Sequence, residues 1–134
     1  MDFMIGHKIN KLIRNGVFSI DEVKHLVYES KEKNVVFHGD LIKTNSQRYE
    51  LFFTKGTKCV CCGIEGKYFA KERDVNTQKF HLNLYAIDKN GNEVLMTKDH
   101  IIPASLGGKN KQENYQTMCS ICNERKGMDI WKEH

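Results

Sequence analysis

Two Cys-x-x-Cys pairs constrain the fold of this chain more than any other feature. The first pair is Cys59 and Cys62, and the second is Cys119 and Cys122. A turn with a glycine after the second cysteine lets two thiolates converge on one ion, and four thiolates form a common structural zinc cage. The spacing therefore predicts one zinc that joins two distant segments. Cys61 is an alternative ligand with poorer geometry, and we expect it to point away and to pack as a small residue.

The composition is consistent with a single domain plus a small appendage in a chain of 134 residues. The formal net charge of +4 leans slightly toward a polyanionic partner. We find no secretion signal, and no apolar run approaches the roughly 20 residues that span a bilayer. We therefore expect no membrane partner and a cytoplasmic location, where paired cysteines favour metal binding over disulfides.

We predict that residues 1–54 form an accessory region of two short helices plus strands. The helices are expected over Ile5–Arg14 and Ile20–Lys31, the strands over Val35–Phe37 and Tyr49–Phe53, and connecting structure over Asp40–Gln47. The helix pair fits either a helix-turn-helix reader of DNA or a small helical cap. We favour the cap because no basic recognition face is evident.

Residues 55–134 are predicted to form the metal-binding domain. Its expected elements are strands over Lys67–Arg73, Phe80–Ile87 and Val94–Met96, a turn at Asp88–Asn92 and a helix over Cys119–Lys126. The last strand leads directly into an adjacent acid and imidazole, so this domain also carries the chemically active side chains.

These side chains match the needs of phosphodiester hydrolysis, which requires a base for water and a cation that neutralises the phosphate. The Asp99 carboxylate suits a hard divalent cation, and the His100 imidazole can take a proton from water. Asn123 follows a zinc-binding cysteine on a helix, so it can face the opposite side and offer an amide oxygen to the same cation. Lys126 lies near Asn123 on this helix and can contact a phosphate. Asn114 is expected to hold the loop that carries His100.

The combined pattern resembles the HNH endonuclease family. The motifs that carry the resemblance are Cys59-x-x-Cys62, Asp99-His100-Ile-Ile-Pro103, Gly107-Gly108, Asn114-x-Gln116 and Cys119-x-x-Cys122-Asn123-x-x-Lys126-Gly127. The resemblance covers about residues 55–127. It implies an α+β fold: a ββα-metal active site on a treble-clef-like zinc scaffold, with a small N-terminal extension.

The resemblance also implies roles for individual residues. His100 corresponds to the general base, Asp99 and Asn123 to the ligands of the catalytic cation, and Asn114 to the central Asn that orients the loop. Asn123 stands where the family name has its final His, as in known variants of the family. We expect Mg²⁺ or Mn²⁺ at these oxygen ligands and Zn²⁺ at the four cysteines.

The leading hypothesis is a metal-dependent endonuclease that cuts DNA and leaves 5′-phosphate and 3′-hydroxyl ends, as the family does. One alternative is a zinc-stabilised nucleic-acid-binding module without catalysis, and another is a nuclease for RNA or branched DNA. Small, free-standing members are often encoded by phages, which would place the protein in a bacterial host cell. The N-terminal region is a possible site for a homodimer or a partner protein.

Overall fold

The computed structural model describes the backbone of residues 2–5 and 8–133 and the side chains of residues 11–127. The strands are β1 (Asp2–Ile5), β2 (Lys8–Phe18), β3 (Asn34–Phe37), β4 (Asp40–Lys43), β5 (Gly66–Asp74), β6 (His81–Ile87), β7 (Glu93–His100) and β8 (Tyr115–Cys119). The helices are α1 (Ile20–Val23), which continues as a π-helical turn over Lys24–Tyr28, then α2 (Gln47–Lys55) and α3 (Ser120–Glu133). The α+β class is therefore confirmed.

An antiparallel six-stranded sheet, in the order β1-β2-β5-β6-β7-β8, forms the body of the described chain. A separate hairpin joins β3 to β4. The buried core lies between the sheet and the helices, and its largest side chains include Tyr49, Phe69 and Tyr115. At the far edge, β7, β8 and α3 follow one another in the predicted ββα order, and α3 contacts both strands.

The predicted first helix is wrong, because Asp2–Ile5 and Lys8–Phe18 are strands; residues 6 and 7 lie outside the described residues. The isoleucines here are spaced four apart, which fits a helix face but also the even period of a strand. β-Branched residues favour strands, and pairing with β5 decides between the two structures. Gly16 occupies a bulge in β2 with φ of 105°. The helix-turn-helix interpretation is therefore wrong as well.

The second predicted helix is confirmed, although it ends at Tyr28 rather than Lys31. The Ser19 hydroxyl accepts a hydrogen bond from the backbone N–H of Glu22 at 3.1 Å and caps the helix. A strand predicted at Tyr49–Phe53 is wrong, because this segment lies in α2. Ser46 caps α2 by accepting from the N–H of Arg48 at 3.2 Å, and the aromatic residues at 49, 52 and 53 share one helix face toward the core.

The other predicted strands are confirmed within a few residues. The expected connection over Asp40–Gln47 contains β4, which pairs with β3 and places Val36 opposite Leu41. The turn between β6 and β7 forms as predicted, with Gly91 at φ of 84°. Strand β7 extends beyond Met96 to His100, because its second half pairs with β8. Among the described residues, no helix is both long and apolar enough to cross a bilayer.

The division of the chain at residue 54 remains a prediction. The main sheet crosses it, since β2 precedes this point and hydrogen-bonds to β5, which follows it. Helix α2 also joins the two parts, because Gln47 accepts hydrogen bonds from the second part: its carbonyl oxygen from Gln112 Nε2 at 3.0 Å, and its Oε1 from Lys98 Nζ at 2.9 Å. These contacts place the N-terminal elements directly beside the strands that carry the predicted catalytic residues.

Candidate active site and metal centre

The four paired cysteines meet in space, as their spacing predicted. Their Sγ atoms all lie within 4.8 Å of one another, and those of Cys62 and Cys119 are 3.8 Å apart. A tetrahedral zinc with Zn–S bonds of about 2.3 Å requires sulfur atoms about 3.8 Å apart. Cys59, Cys119 and Cys122 are buried while Cys62 is exposed. The donor set and its size therefore fit a structural zinc.

The surroundings of the cysteine cluster shift the pKa values of three of its thiols. Burial acts to raise the pKa of the Cys59 thiol. Hydrogen bonds from the backbone of Cys119 and Cys62 to this sulfur have the opposite, larger effect and lower its pKa to about 6. Burial raises the pKa of the Cys119 and Cys122 thiols. Since thiolates are the ligand form, a bound cation would offset this unfavourable burial of negative charge.

Cys61 lies outside the cluster of four, as expected, but the prediction that it packs as a small residue is wrong. Its side chain is exposed, because the knuckle turn presents this position to solvent while Cys59 and Cys62 face inward.

Asp99 is held firmly at the end of β7. The residue is 6% exposed, and its Oδ2 accepts hydrogen bonds from Gln116 Nε2 at 2.9 Å and from Lys126 Nζ at 2.7 Å. Gln116 lies directly opposite Asp99 on β8, so the antiparallel register creates the first contact. Among the described residues, no hydrogen bond reaches Asp99 Oδ1, which leaves one carboxylate oxygen for another ligand.

Two contacts, with Asn110 and with Tyr115, orient the imidazole ring of His100. Its Nε2 lies 2.7 Å from Oδ1 of Asn110, and its ring meets the Tyr115 ring edge-on with centroids 5.1 Å apart. Because an amide oxygen only accepts, this contact assigns the ring hydrogen to Nε2 and leaves the lone pair on Nδ1. The imidazole can then accept a proton at Nδ1.

Asn114 braces the loop that begins directly after His100, whereas His100 itself ends β7. Its Oδ1 accepts from the N–H of Ile102 at 2.9 Å, and its Nδ2 donates to the carbonyl oxygens of Ile102 and Lys109 at 3.0 and 2.9 Å. Gly108 packs against this loop so closely that a Cβ there would lie 1.7 Å from the Ile102 carbonyl oxygen. Gly108 therefore permits the close approach of two backbone segments.

The first turn of α3 separates the two kinds of site. Cys122 contributes its sulfur to the cysteine cluster, whereas the next residue, Asn123, lines a neighbouring cavity. The Nδ2 of Asn123 donates to Thr97 Oγ1 at 2.8 Å, and among the described residues no hydrogen bond reaches its Oδ1. One helical step thus directs consecutive residues to different sides, as expected.

A cavity of about 240 Å³ brings the predicted residues together. Its lining includes Asp99, His100, Asn123 and Lys126, together with Lys98 and the start of the loop at Pro103. Asn114 supports the cavity from behind rather than lining it. The arrangement combines two available oxygen donors, an imidazole and two ammonium groups, a set suited to an anionic substrate and a divalent cation.

The ammonium group of Lys126 contacts Asp99 and the backbone of His100, in addition to lining the cavity where a phosphate could bind. Besides its ion pair with Asp99, its Nζ donates to the carbonyl oxygen of His100 at 2.5 Å. The ammonium therefore fixes the Asp99 carboxylate and the start of the loop at the same time. Its side chain remains 25% exposed, so it can still reach a substrate in the cavity.

Three positioning residues were not identified from the sequence: Thr97, Asn110 and Gln116. Gln116 belonged to the motif but had no assigned role, and its place opposite Asp99 depends on the strand register. The signal for Thr97 was weak, since it is one polar residue in a strand. Asn110 follows the glycine pair in a loop, and only the folded loop brings it to His100.

A comparison with protein-family models matches residues 88–133 to a family described as HNH endonuclease. This segment is similar to the HNH endonuclease family. The HNH match spans the turn before β7, then β7, β8 and α3, and so contains Asp99, His100, Asn114, Asn123 and the second cysteine pair. Cys59 and Cys62 lie outside the matched HNH segment. Neither the curated proteins nor the solved structures contain a significant match to this chain.

Proposed function

We propose that this protein is a metal-dependent HNH endonuclease that hydrolyses phosphodiester bonds in DNA. The observation that carries the proposal is the meeting of Asp99, His100 and Asn123 in one cavity beside the four-cysteine cluster. The family match over the same strands and helix supports nuclease chemistry.

In this proposal His100 is the general base. Its Nε2–H is engaged by Asn110, so its Nδ1 takes the proton from the attacking water. Asn114 and Asn110 have different roles. Asn114 holds the backbone of the loop after His100, and Asn110 holds the imidazole ring of His100 in one orientation. The edge of Tyr115 restricts rotation of the imidazole.

Asp99 Oδ1 and Asn123 Oδ1 are the proposed ligand atoms for the catalytic cation. Both are oxygen donors, which Mg²⁺ and Mn²⁺ prefer, and Thr97 and Gln116 orient the groups that carry them. A bound cation would supply charge neutralisation at the scissile phosphate and at the departing 3′ oxygen. Lys126 adds a positive charge beside the phosphate and keeps the Asp99 carboxylate in place.

The four cysteines are proposed to hold a structural Zn²⁺ that joins the 59–62 turn to the start of α3. The scaffold then fixes the orientation of Asn123, because this residue directly follows the ligand Cys122. Residues 1–54 are proposed to act as an accessory region that packs against the nuclease part.

The proposal is tested with supercoiled, linear, single-stranded and branched DNA and with RNA, each with Mg²⁺, with Mn²⁺ or without added divalent cation. We expect DNA cleavage only when one of these cations is present, with 5′-phosphate ends. Binding without cleavage throughout the cation titration would instead indicate a zinc-stabilised binding module. Cleavage of RNA alone would contradict the DNA assignment.

A further inference from the structure

A second concave surface lies next to the proposed active site. Its volume is about 460 Å³, and five of its lining residues carry basic side chains: Lys43, Arg48, Lys79, His81 and Lys98. We call this surface the basic cleft. Lys98 also lines the active-site cavity, so the two depressions share a wall. The residues that line the basic cleft include no carboxylate in the described part of the chain.

The topology explains why these cations converge. Strands β6 and β7 are antiparallel, with Tyr85 opposite Leu95, so the His81 end of β6 runs beside the Lys98 end of β7. Residues 1–54 add Lys43 at the end of β4 and Arg48 in the first turn of α2. Three separate parts of the chain therefore deliver positive charge to one place.

The cations of the basic cleft are held without being neutralised. Arg48 donates to the amide oxygen of Asn83 at 3.0 Å. Lys98 donates to Gln47 Oε1 at 2.9 Å and lies 4.2 Å from the centroid of the Tyr115 ring. Lys43 and Lys79 are exposed, and none of these four cations pairs with a carboxylate among the described side chains.

Three other buried or half-buried cations among the described side chains differ, because each pairs with a carboxylate. Arg14 pairs with two glutamates, Lys71 with Asp40 and Lys126 with Asp99. The positive charge of the basic cleft also affects His81. Burial lowers the pKa of this histidine, and the nearby charges of Arg48 and Lys79 lower it further. A concave surface with uncompensated positive charge is complementary to a polyanion.

We infer that the basic cleft binds the phosphate backbone of duplex DNA on one side of the cleavage site. The inference rests on the proposed function, because it extends the same substrate beyond the active-site cavity. It also gives residues 1–54 a role in DNA binding, because they supply Lys43 and Arg48. The basic residues other than Lys98 lie outside the segment that matches the HNH endonuclease family.

The test compares two double variants by fluorescence anisotropy on a labelled duplex, with both built in a His100→Ala chain so that the DNA stays intact. Lys43→Gln/Lys79→Gln removes two exposed lysines of the basic cleft. The matched control, Lys67→Gln/Lys89→Gln, removes two exposed lysines near the opposite end of the β5–β6 pair, roughly 20 Å along the strands.

We expect the basic-cleft variant to bind DNA more weakly. We also expect a shallower plot of the logarithm of its binding constant against the logarithm of the salt concentration. The magnitude of the slope should fall by about 2, or roughly 0.9 for each lost phosphate contact. The control should retain the slope of its His100→Ala parent. Equal changes in both variants, or no change in either, would overturn the inference. A loss confined to an RNA duplex of the same sequence would overturn the DNA assignment.

The same experiment separates this inference from the proposed function. If the wild-type chain cuts DNA but the two double variants bind alike, the basic cleft is wrong and the nuclease stands. If the predicted loss of binding occurs but the wild-type chain never cuts, the binding surface stands and the nuclease proposal fails.

Discussion

The Nζ atom of Lys126 lies 2.7 Å from Oδ2 of Asp99, so a cation from the protein already contacts the carboxylate proposed to hold the catalytic metal. Gln116 occupies the same oxygen, while Oδ1 accepts no hydrogen bond from the described residues. The ammonium therefore orients the ligand but also repels a divalent cation beside it.

Replacing Lys126 with methionine should change metal binding and DNA cleavage in opposite directions. Loss of the positive charge should tighten Mn²⁺ binding to the DNA-free protein by about tenfold, because the nearby like charge is removed. DNA cleavage should fall, since the phosphate loses a cation. Calorimetry and a cleavage assay measure the two effects, and Lys126→Arg serves as the charge-retaining control. Unchanged Mn²⁺ affinity in the methionine variant would refute the proposed repulsion.

Replacing Asn123 with alanine should raise the Mg²⁺ concentration required for half-maximal cleavage by at least about tenfold. The change removes the amide oxygen proposed as a ligand but leaves the neighbouring Cys122 in place. Thr97→Val is the matched control, because it removes the hydrogen bond that orients the amide, and the one from Thr97 Oγ1 to the Met118 carbonyl oxygen, but keeps the amide oxygen. It should cause a smaller increase. An alanine variant with the wild-type Mg²⁺ requirement would exclude Asn123 as a ligand.

The cysteine cluster predicts one zinc per chain and a clear difference between neighbouring cysteines. Cys122→Ser should abolish zinc binding and lower the stability of the domain by several kcal/mol, because metal binding and folding are coupled. Cys61→Ser should leave both unchanged, since Cys61 is exposed and lies outside the cluster. Elemental analysis and thermal unfolding test this pair. Zinc loss in the Cys61 variant would mean that the ligand set is misassigned.

The buried Lys71 predicts a pH-dependent contribution to stability. Its Nζ lies 2.8 Å from Asp40 Oδ2, and this contact lowers the pKa of the Asp40 carboxyl below its usual range. The contribution is therefore present above the ordinary carboxyl pKa of about 4 and is lost as the pH falls through the lower folded-state value. Asp40→Asn should cost about 2 kcal/mol near neutral pH, because it leaves a buried ammonium without its counter-ion.

Denaturant unfolding from neutral to acidic pH measures this difference between wild type and Asp40→Asn. The difference should shrink as the wild-type carboxylate becomes protonated. Adding Lys71→Met to Asp40→Asn should recover most of the lost stability, since the unpaired charge is removed. A pH-independent difference between wild type and Asp40→Asn would show that the carboxylate charge is not responsible.

The sequence was most informative where structure depends on local chemistry. The cysteine spacing identified the four-cysteine cluster, and the segment around Asn90-Gly91 indicated the hairpin turn. The motif around His100 and Asn123 also identified the residues that line the cavity. These signals depend on neighbours within a few positions, so they can be read without knowledge of the fold.

The sequence was less informative where distant contacts decide the structure. Tyr49–Phe53 has strand propensity, but capping by Ser46 and burial of one helix face make it part of α2. Strand β2 forms because β5 is available to pair with it. The contacts of Asn110 with His100 and of Gln47 with Lys98 depend on loop closure and helix docking, which no local pattern encodes.

The central claim is that His100 is the base of a DNA-cutting site. The most direct measurement is the single-turnover rate of supercoiled DNA cleavage in Mg²⁺ by His100→Ala, compared with His25→Ala, which changes an exposed histidine on the first helix. Both variants should unfold at the wild-type temperature and retain zinc. We predict a loss of at least about a hundredfold for His100→Ala and no loss for His25→Ala. A folded, zinc-loaded His100→Ala that cuts at the wild-type rate would contradict the account.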